Sequence, residues 1–169
     1  MIVKNLAISA IQDLNDFDLI WVQDDNIPYS GIRIRVDDAS AFAVGDVLVV
    51  RGTFSEEKSF SGDVVTTSQI TVTEPIQVID NGAVTPVVLD IATTDDAILD
   101  QYLSMLVQFQ NVEVAGDAGF GESFIDDSVV IDNEFFDFSL GTYSSVTGVV
   151  FHTFLKYKIE PRSSADLVP

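Results

Sequence analysis

Val44-Gly45-Asp46-Val47-Leu48-Val49-Val50-Arg51-Gly52 and Leu140-Gly141-Thr142-Tyr143-Ser144-Ser145-Val146-Thr147-Gly148 are the stretches whose reading decides the fold. Each places an apolar residue before a glycine and a second glycine seven residues later. The two copies are displaced by 96 positions, so that Val50 falls on Val146. Glycine at fixed places inside apolar, β-branched runs marks a bulge or a tightly coiled strand, because only a residue without a Cβ lets the backbone bend or approach that closely. A self-similar period of this kind points to a duplicated unit.

The correspondence extends in both directions. Val22-Gln23-Asp24-Asp25 matches Phe124-Ile125-Asp126-Asp127, each ahead of a third strand, and Ile70 to Pro75 resembles Ile159 to Pro161. Partial alternation between Asx, Gly, Pro and Ser clusters predicts strands over Ile2–Ile11, Asp18–Asp24, Gly31–Val36, Val47–Phe54 and Ser68–Ile79. Asp80-Asn81-Gly82-Ala83 reads as a turn that ends the unit. Pro86–Asp90 is extended, and Thr93–Met105 carries Ile98, Leu99, Tyr102, Met105 and Leu106 at helical spacing, with Thr93 and Asp96 as a capping box. Strand signals resume over Leu106–Ala115, Glu122–Asp126, Val129–Phe138, Tyr143–Phe154 and Lys156–Glu160. The expected fold is all-β: two tandem five-stranded Greek-key barrels of the oligonucleotide/oligosaccharide-binding (OB) type with one short linking helix. The first barrel spans 1–80, linker and helix 81–105, and the second barrel 106–169.

The 169 residues are 47% apolar with twelve Phe, enough for a β-rich core. Twenty-seven acidic against eight basic residues give a formal net charge of −19, a field that repels phosphate backbones at long range. Nucleic acid is thereby disfavoured as a partner, except locally. The chain has no cysteine, which excludes disulfides, thiolate metal sites and cysteine nucleophiles. Met1–Ala10 lacks the long apolar region of a signal peptide, so a secreted parent would make this an excised piece with an added Met. No run reaches the roughly 18 apolar residues of a membrane span, and no membrane insertion is expected.

Trp21-Val22-Gln23-Asp24 leading into Gly31–Val36, then Val44–Phe54 and Thr67–Thr71, resemble the OB-like modules that precede the endonuclease/exonuclease/phosphatase domain in large secreted bacterial nucleases, and related modules of bacterial surface proteins. Leu99–Val107 looks like the linking helix of those modules running into the next first strand. The glycine often found in their first strand is replaced around Leu6. The resemblance implies a non-catalytic accessory module of an extracellular or cell-surface parent protein, with neighbouring domains of a larger chain as its partners.

No constellation for catalysis stands out. His152 is the sole histidine and has no triad or metalloprotease spacing around it, and phosphate-cradling glycine loops are missing. No enzyme activity is expected of the chain itself. Two candidate sites remain. Trp21 on the second strand, with Arg33 and Arg35 pointing outward from the third, would form a ligand face for a nucleic acid or glycan, since OB barrels commonly bind across strands two and three. The competing account pairs the arginines with Asp24, Asp37 or Asp38 and packs Trp21 under a loop or against the second barrel. The other candidate is a calcium site, the one cofactor contemplated, drawn from Asp24, Asp25 and Asn26, Asp37 and Asp38, Asp126 and Asp127, or Asp132 to Glu134. Asp24, Asp25, Asp126 and Asp127 are its leading ligands, and ordinary Asx turns are the alternative. Lys156–Arg162 holds three basic residues, expected to offset neighbouring acids in a closing strand, and one of Phe135 and Phe136 should face outward. An alternative function is self-association, with copies of the chain assembling into an extracellular structure or filament through strand edges.

Overall fold

The computed structural model describes residues 1–169. It is all-β, with two sheets and one short helix. The first sheet contains β1 (Ile2–Asp13), β2 (Asp18–Gln23), β3 (Gly31–Val36), β4 (Asp46–Glu57), β5 (Thr67–Val72) and β6 (Gln77–Asn81). The second contains β7 (Val87–Val88), β8 (Leu106–Gly119), β9 (Glu122–Ile125), β10 (Val129–Ile131), β11 (Gly141–Thr153), β12 (Lys156–Glu160) and β13 (Leu167–Val168). The helix α1 (Asp96–Gln101) lies between them in sequence.

The pairing repeats. In the first sheet the order is β1-β2-β3-β5-β4-β6, and β1 also pairs with β4. In the second, β8, β9, β10, β12 and β11 follow the same order, and β11 also pairs with β8. The one parallel contact among these five strands falls at the same place in each, Ile34 opposite Ile70 and Ile131 opposite Ile159. The glycine repeat explains why β4 and β11 can cross their neighbours so closely. A Cβ on Gly52 would meet the Thr71 carbonyl, and one on Gly148 would lie 2.6 Å from Ile159 Cγ2 and 2.8 Å from the Glu160 carbonyl oxygen. No side chain fits at either position.

Several boundaries differ from the sequence reading for local reasons. The expected strand Ser68–Ile79 is two strands, because Pro75 has no N–H for the ladder and the pairing changes around it. Asp80 and Asn81, read as a turn, complete β6 opposite Val47 and Asp46. The helix is six residues, not thirteen, and its cap is Asp95, whose carboxylate accepts from the Ile98 N–H, in place of Thr93. Thr93 and Thr94 are instead tied to the Asp90 carbonyl in the preceding turn. β10 ends at Ile131, leaving Asp132 to Leu140 as a loop. The bend left without a glycine near Leu6 is made by Asn5, at φ +60° and at a register shift between Lys4 and Leu6, and Asn111 adopts φ +53° in β8. Asn tolerates this left-handed conformation better than most residues.

Each sheet has its own core. Leu6, Ile8, Ile20, Val22, Ile34, Leu48, Val50 and Ile70 fill the first. Val107, Phe109, Val112, Val114, Ile125, Ile131, Val146, Val150 and Ile159 fill the second, with Leu99 of α1 packed on it. A third cluster belongs to both sheets: Ala10, Leu19 and Trp21 from the first meet Leu106, Val149 and Phe151 from the second.

Candidate functional site

The contact between the sheets sets the surroundings of every candidate residue. Trp21 is fully buried in it, its ring 5.1 Å from Phe135 and 6.0 Å, edge-on, from Phe151. A tryptophan excluded from solvent offers no stacking platform, so the placement matches packing against the second unit and not the open ligand face. Polar ties flank the aromatic contact. The Leu106 N–H donates to Gln23 Oε1 at 2.9 Å, Arg162 Nη1 donates to the Ser9 carbonyl at 2.8 Å, and the Leu155 N–H donates to Asp63 Oδ1 at 2.7 Å. These bonds satisfy polar groups that packing the sheets together removes from water. Phe135 and Phe136 are both half-buried, Phe135 on Trp21 and Phe136 against the second core, so neither is the outward member of a pair.

Arg33 and Arg35 project from the outer face of β3, as their alternation with Ile34 requires. Arg33 is only 5% exposed; its Nε donates to Gln69 Oε1 at 2.9 Å and Nη1 to Ser59 Oγ at 3.3 Å. Burial pulls its guanidinium pKa down to about 10, with Glu57 opposing and Arg35 adding to the fall, and it stays charged at neutral pH. Arg35 is exposed and lies 3.8 Å over the Phe17 ring. Neither pairs with Asp24, Asp37 or Asp38. Both line a cleft of about 310 Å³ between the sheets, together with Phe17, Lys58, Glu134 and Phe154. Three of the eight cationic side chains of a strongly acidic chain therefore border one cleft.

The equivalent face of the second unit carries a network of acids and lysines in place of the arginines. The matching parallel pairs put Lys158 where Gln69 stands, Asp132 where Arg35 stands and Glu160 where Thr71 stands. Lys158 Nζ contacts Glu122 Oε1 and lies 2.7 Å from Asp132 Oδ2, while Lys156 Nζ lies 2.7 Å from Glu122 Oε2. The neighbouring carboxylates hold the Lys158 pKa above its usual value despite the opposing cost of burial. The basic run Lys156–Arg162 is thus paired with acids throughout, Arg162 meeting Asp166 at 2.6 Å. Glu160 is fully buried, and neither of its carboxylate oxygens has a hydrogen-bond partner. Burial, reinforced by Asp132 and Glu134, pushes its pKa up to about 9 against the smaller pull of Lys158 and of the nearby Glu134 amide, which makes no well-formed hydrogen bond to either oxygen.

One carboxylate oxygen each from Asp132, Glu134 and Glu160 lies within 4.8 Å of the others. This is the chain's one group of three or more metal-competent side chains, and Asp24, Asp25, Asp126 and Asp127 are not in it. They lie at bends and turns, where two of them bond backbone amides. Asp25 Oδ1 accepts from the Asn26 N–H at 2.7 Å; Asp126 and Asp127, at φ +45° and +57°, form the β9–β10 turn, and Asp126 Oδ1 accepts from the Glu113 N–H at 2.7 Å. The presence of Asp132 and Glu134 was readable in the acidic stretch Asp132 to Glu134, but Glu160 carried no signal beyond being an acid in a strand.

His152 is buried on β11, its Nδ1 3.7 Å from Asp63 Oδ2 and its ring 4.7 Å from that of Tyr157. Burial lowers its pKa, with Asp63, Asp96 and Asp100 opposing. Asp63 already accepts from the Phe60 and Leu155 amides, so it acts as an anchor for the β4–β5 loop on the β11–β12 turn. No family model, curated protein or solved structure matches this chain.

Proposed function

We propose that the chain is a non-catalytic module of two OB-like barrels held as one rigid piece, which sets the spacing and orientation of neighbouring domains in a larger extracellular or surface protein. The strand order β1-β2-β3-β5-β4 with β1 returning to β4, repeated in β8 to β12, supports a pair of five-strand barrels with a shared topology. The observation that carries the function is the shared core around Trp21. Flexibly tethered domains meet, if at all, through polar contacts, and relative motion is their default. Here six buried apolar residues from the two sheets form one cluster, with Gln23, Asp63 and Arg162 bonding across it. Residual dipolar couplings measured on the full chain test this directly: couplings from both units fit a single alignment tensor if the piece is rigid, and two tensors of different magnitude would refute it.

The cleft bordered by Arg33, Arg35 and Lys58 favours a second property of the same module, the weak binding of a small ligand with anionic or planar groups. Guanidinium groups flanked by Phe17 and Phe154 suit a glycan or a nucleotide better than a long polyanion, which the net charge of −19 repels. Chemical-shift changes confined to the cleft on titration with short oligonucleotides and acidic glycans would support it; no change at low salt would dismiss it. Self-association is the alternative. It would use β6, an edge strand exposed along its whole length with Val78 and Ile79 about half exposed. A strict monomer by light scattering at high concentration would rule it out.

A further inference from the structure

We propose that Asp132, Glu134 and Glu160 bind one hard divalent cation, at a site that fastens the β10–β11 loop to the body of the second unit. Three carboxylates within 4.8 Å would not by themselves make a site on so acidic a protein. What distinguishes this group is Glu160: it has no solvent exposure, no well-formed hydrogen bond to either oxygen, and an oxygen directed into the group. A buried carboxylate without partners costs free energy whether or not it is ionised, because a proton removes the charge but leaves polar atoms unsatisfied. A cation answers both needs.

The charge balance agrees. Glu122, Asp132 and Glu160 lie around Lys156 and Lys158, and both lysines already bond to Glu122 or Asp132, while Glu134 also borders the cleft that holds Arg33, Arg35 and Lys58. Carboxyl groups outnumber ammonium groups four to two here, and a divalent ion bound in place of the Glu160 proton reduces that imbalance. The ligands are all oxygen, which selects Ca²⁺, Mg²⁺ or Mn²⁺ over softer metals. They also differ in burial: Glu160 and Asp132 form the floor, and Glu134 is exposed. Asp132 and Glu134 border a cleft of about 440 Å³, which supplies an entry route and room for the waters that would complete the coordination shell.

The position has a structural consequence. Glu134 Oε1 accepts from Gln12 Nε2 of the first unit at 2.6 Å, and Phe135, the next residue, packs on Trp21. An ion holding Glu134 therefore steadies the loop segment that bridges the two units.

The test is isothermal titration of the chelator-treated full chain with CaCl₂, MgCl₂ and MnCl₂ in separate arms, alongside thermal melts. Saturable binding of one ion per chain is expected, with a melting temperature roughly 5 °C or more higher at saturation. Glu160→Gln and Glu134→Gln should each weaken binding at least about tenfold, the loss of one charged ligand being worth of order 1.4 kcal/mol or more, while Asp126→Asn leaves it unchanged. Glu134 is exposed, so its variant keeps the test decisive if Glu160→Gln does not fold. Mn²⁺ should broaden amide signals around 132–134 and 158–160 first. The absence of stoichiometric binding, binding unaffected by both variants, or broadening centred on the turns at Asp24 or Asp126 would overturn the proposal.

Discussion

The Trp21 ring, from the first sheet, lies 5.1 Å from the Phe135 ring, from a loop of the second, at an interplanar angle of 58°. Tilted aromatic pairs at this spacing place ring edges against ring faces and contribute beyond simple area burial. Trp21 belongs to the cluster to which both sheets contribute buried residues, and Phe135 packs against it. Its removal should therefore be felt as a loss of coupling as well as of stability. Trp21→Ala is expected to cost about 3–5 kcal/mol, as large aromatic truncations in cores do. Urea unfolding of wild type should be one transition and that of Trp21→Ala two, read by circular dichroism; a single unshifted transition in the variant would count against the shared core.

The same burial makes an optical prediction. Trp21 is the sole tryptophan, so its emission reports this contact alone. We expect blue-shifted emission that resists quenching by iodide and does not respond directly to oligonucleotides. Efficient quenching in the native protein would place the ring at the surface.

Arg162 and Arg51 should behave oppositely on truncation. Arg162 joins the Asp166 carboxylate through Nε and Nη2 and the Ser9 carbonyl through Nη1, and Asp166 is buried. Arg162→Met would leave that carboxylate without its charge partner, at a cost of about 3 kcal/mol. Arg51 pairs with Glu74 where both side chains are more than half exposed, and Arg51→Met should change stability by less than about 1 kcal/mol. Denaturant midpoints of the two variants compare them; equal losses would show that the Asp166 pair and the Ser9 tie together contribute no more than an exposed ion pair.

The duplicated glycines should be equally intolerant. Gly52→Ala and Gly148→Ala drive a methyl group into the backbone of β5 and β12 respectively, where nothing flexible can move aside. Each is expected to destabilise by about 1–3 kcal/mol or to prevent folding. Gly82→Ala, with no atom within 4 Å of the added carbon, is the matched control and should be close to neutral. Thermal melts of the three variants settle the comparison.

His152 should make the fold sensitive to mild acid. Burial holds its pKa below the ordinary value of about 6.5, with Asp63, Asp96 and Asp100 opposing and the Tyr157 ring packed at its edge. The unfolded chain therefore takes up this proton at higher pH than the folded one. Its effect is to lower stability as pH falls below about 6.5, until the folded-state pKa is reached, and to have no influence above that range. Relative to His152→Gln, wild type should lose stability between pH 7.5 and pH 5 in urea melts. A difference independent of pH would remove the histidine from the account.

The strand content and the limits of β3 and β12 are legible in sequence, and a repeated strand order accompanies the repeated glycines, because alternation and glycine spacing are local properties of the backbone. Even the correspondence of Gly52 with Gly148 became a shared packing site. The helix is shorter than its spacing implies for a local reason too: Asp95 competes with Thr93 as a cap, and its carboxylate reaches the Ile98 amide. What only the tertiary structure decided was which outward residues are covered. Trp21 and Arg33 both point away from the first core, and the second unit hides the tryptophan while Gln69 and Ser59 hold the arginine. Asp132 and Glu160 lie far apart in sequence, and the parallel pairing of β10 with β12 brings them together. Periodicity specifies a face of a strand, but whether that face meets water, a neighbouring unit or another carboxylate depends on contacts between distant segments, and those contacts place the candidate cation site.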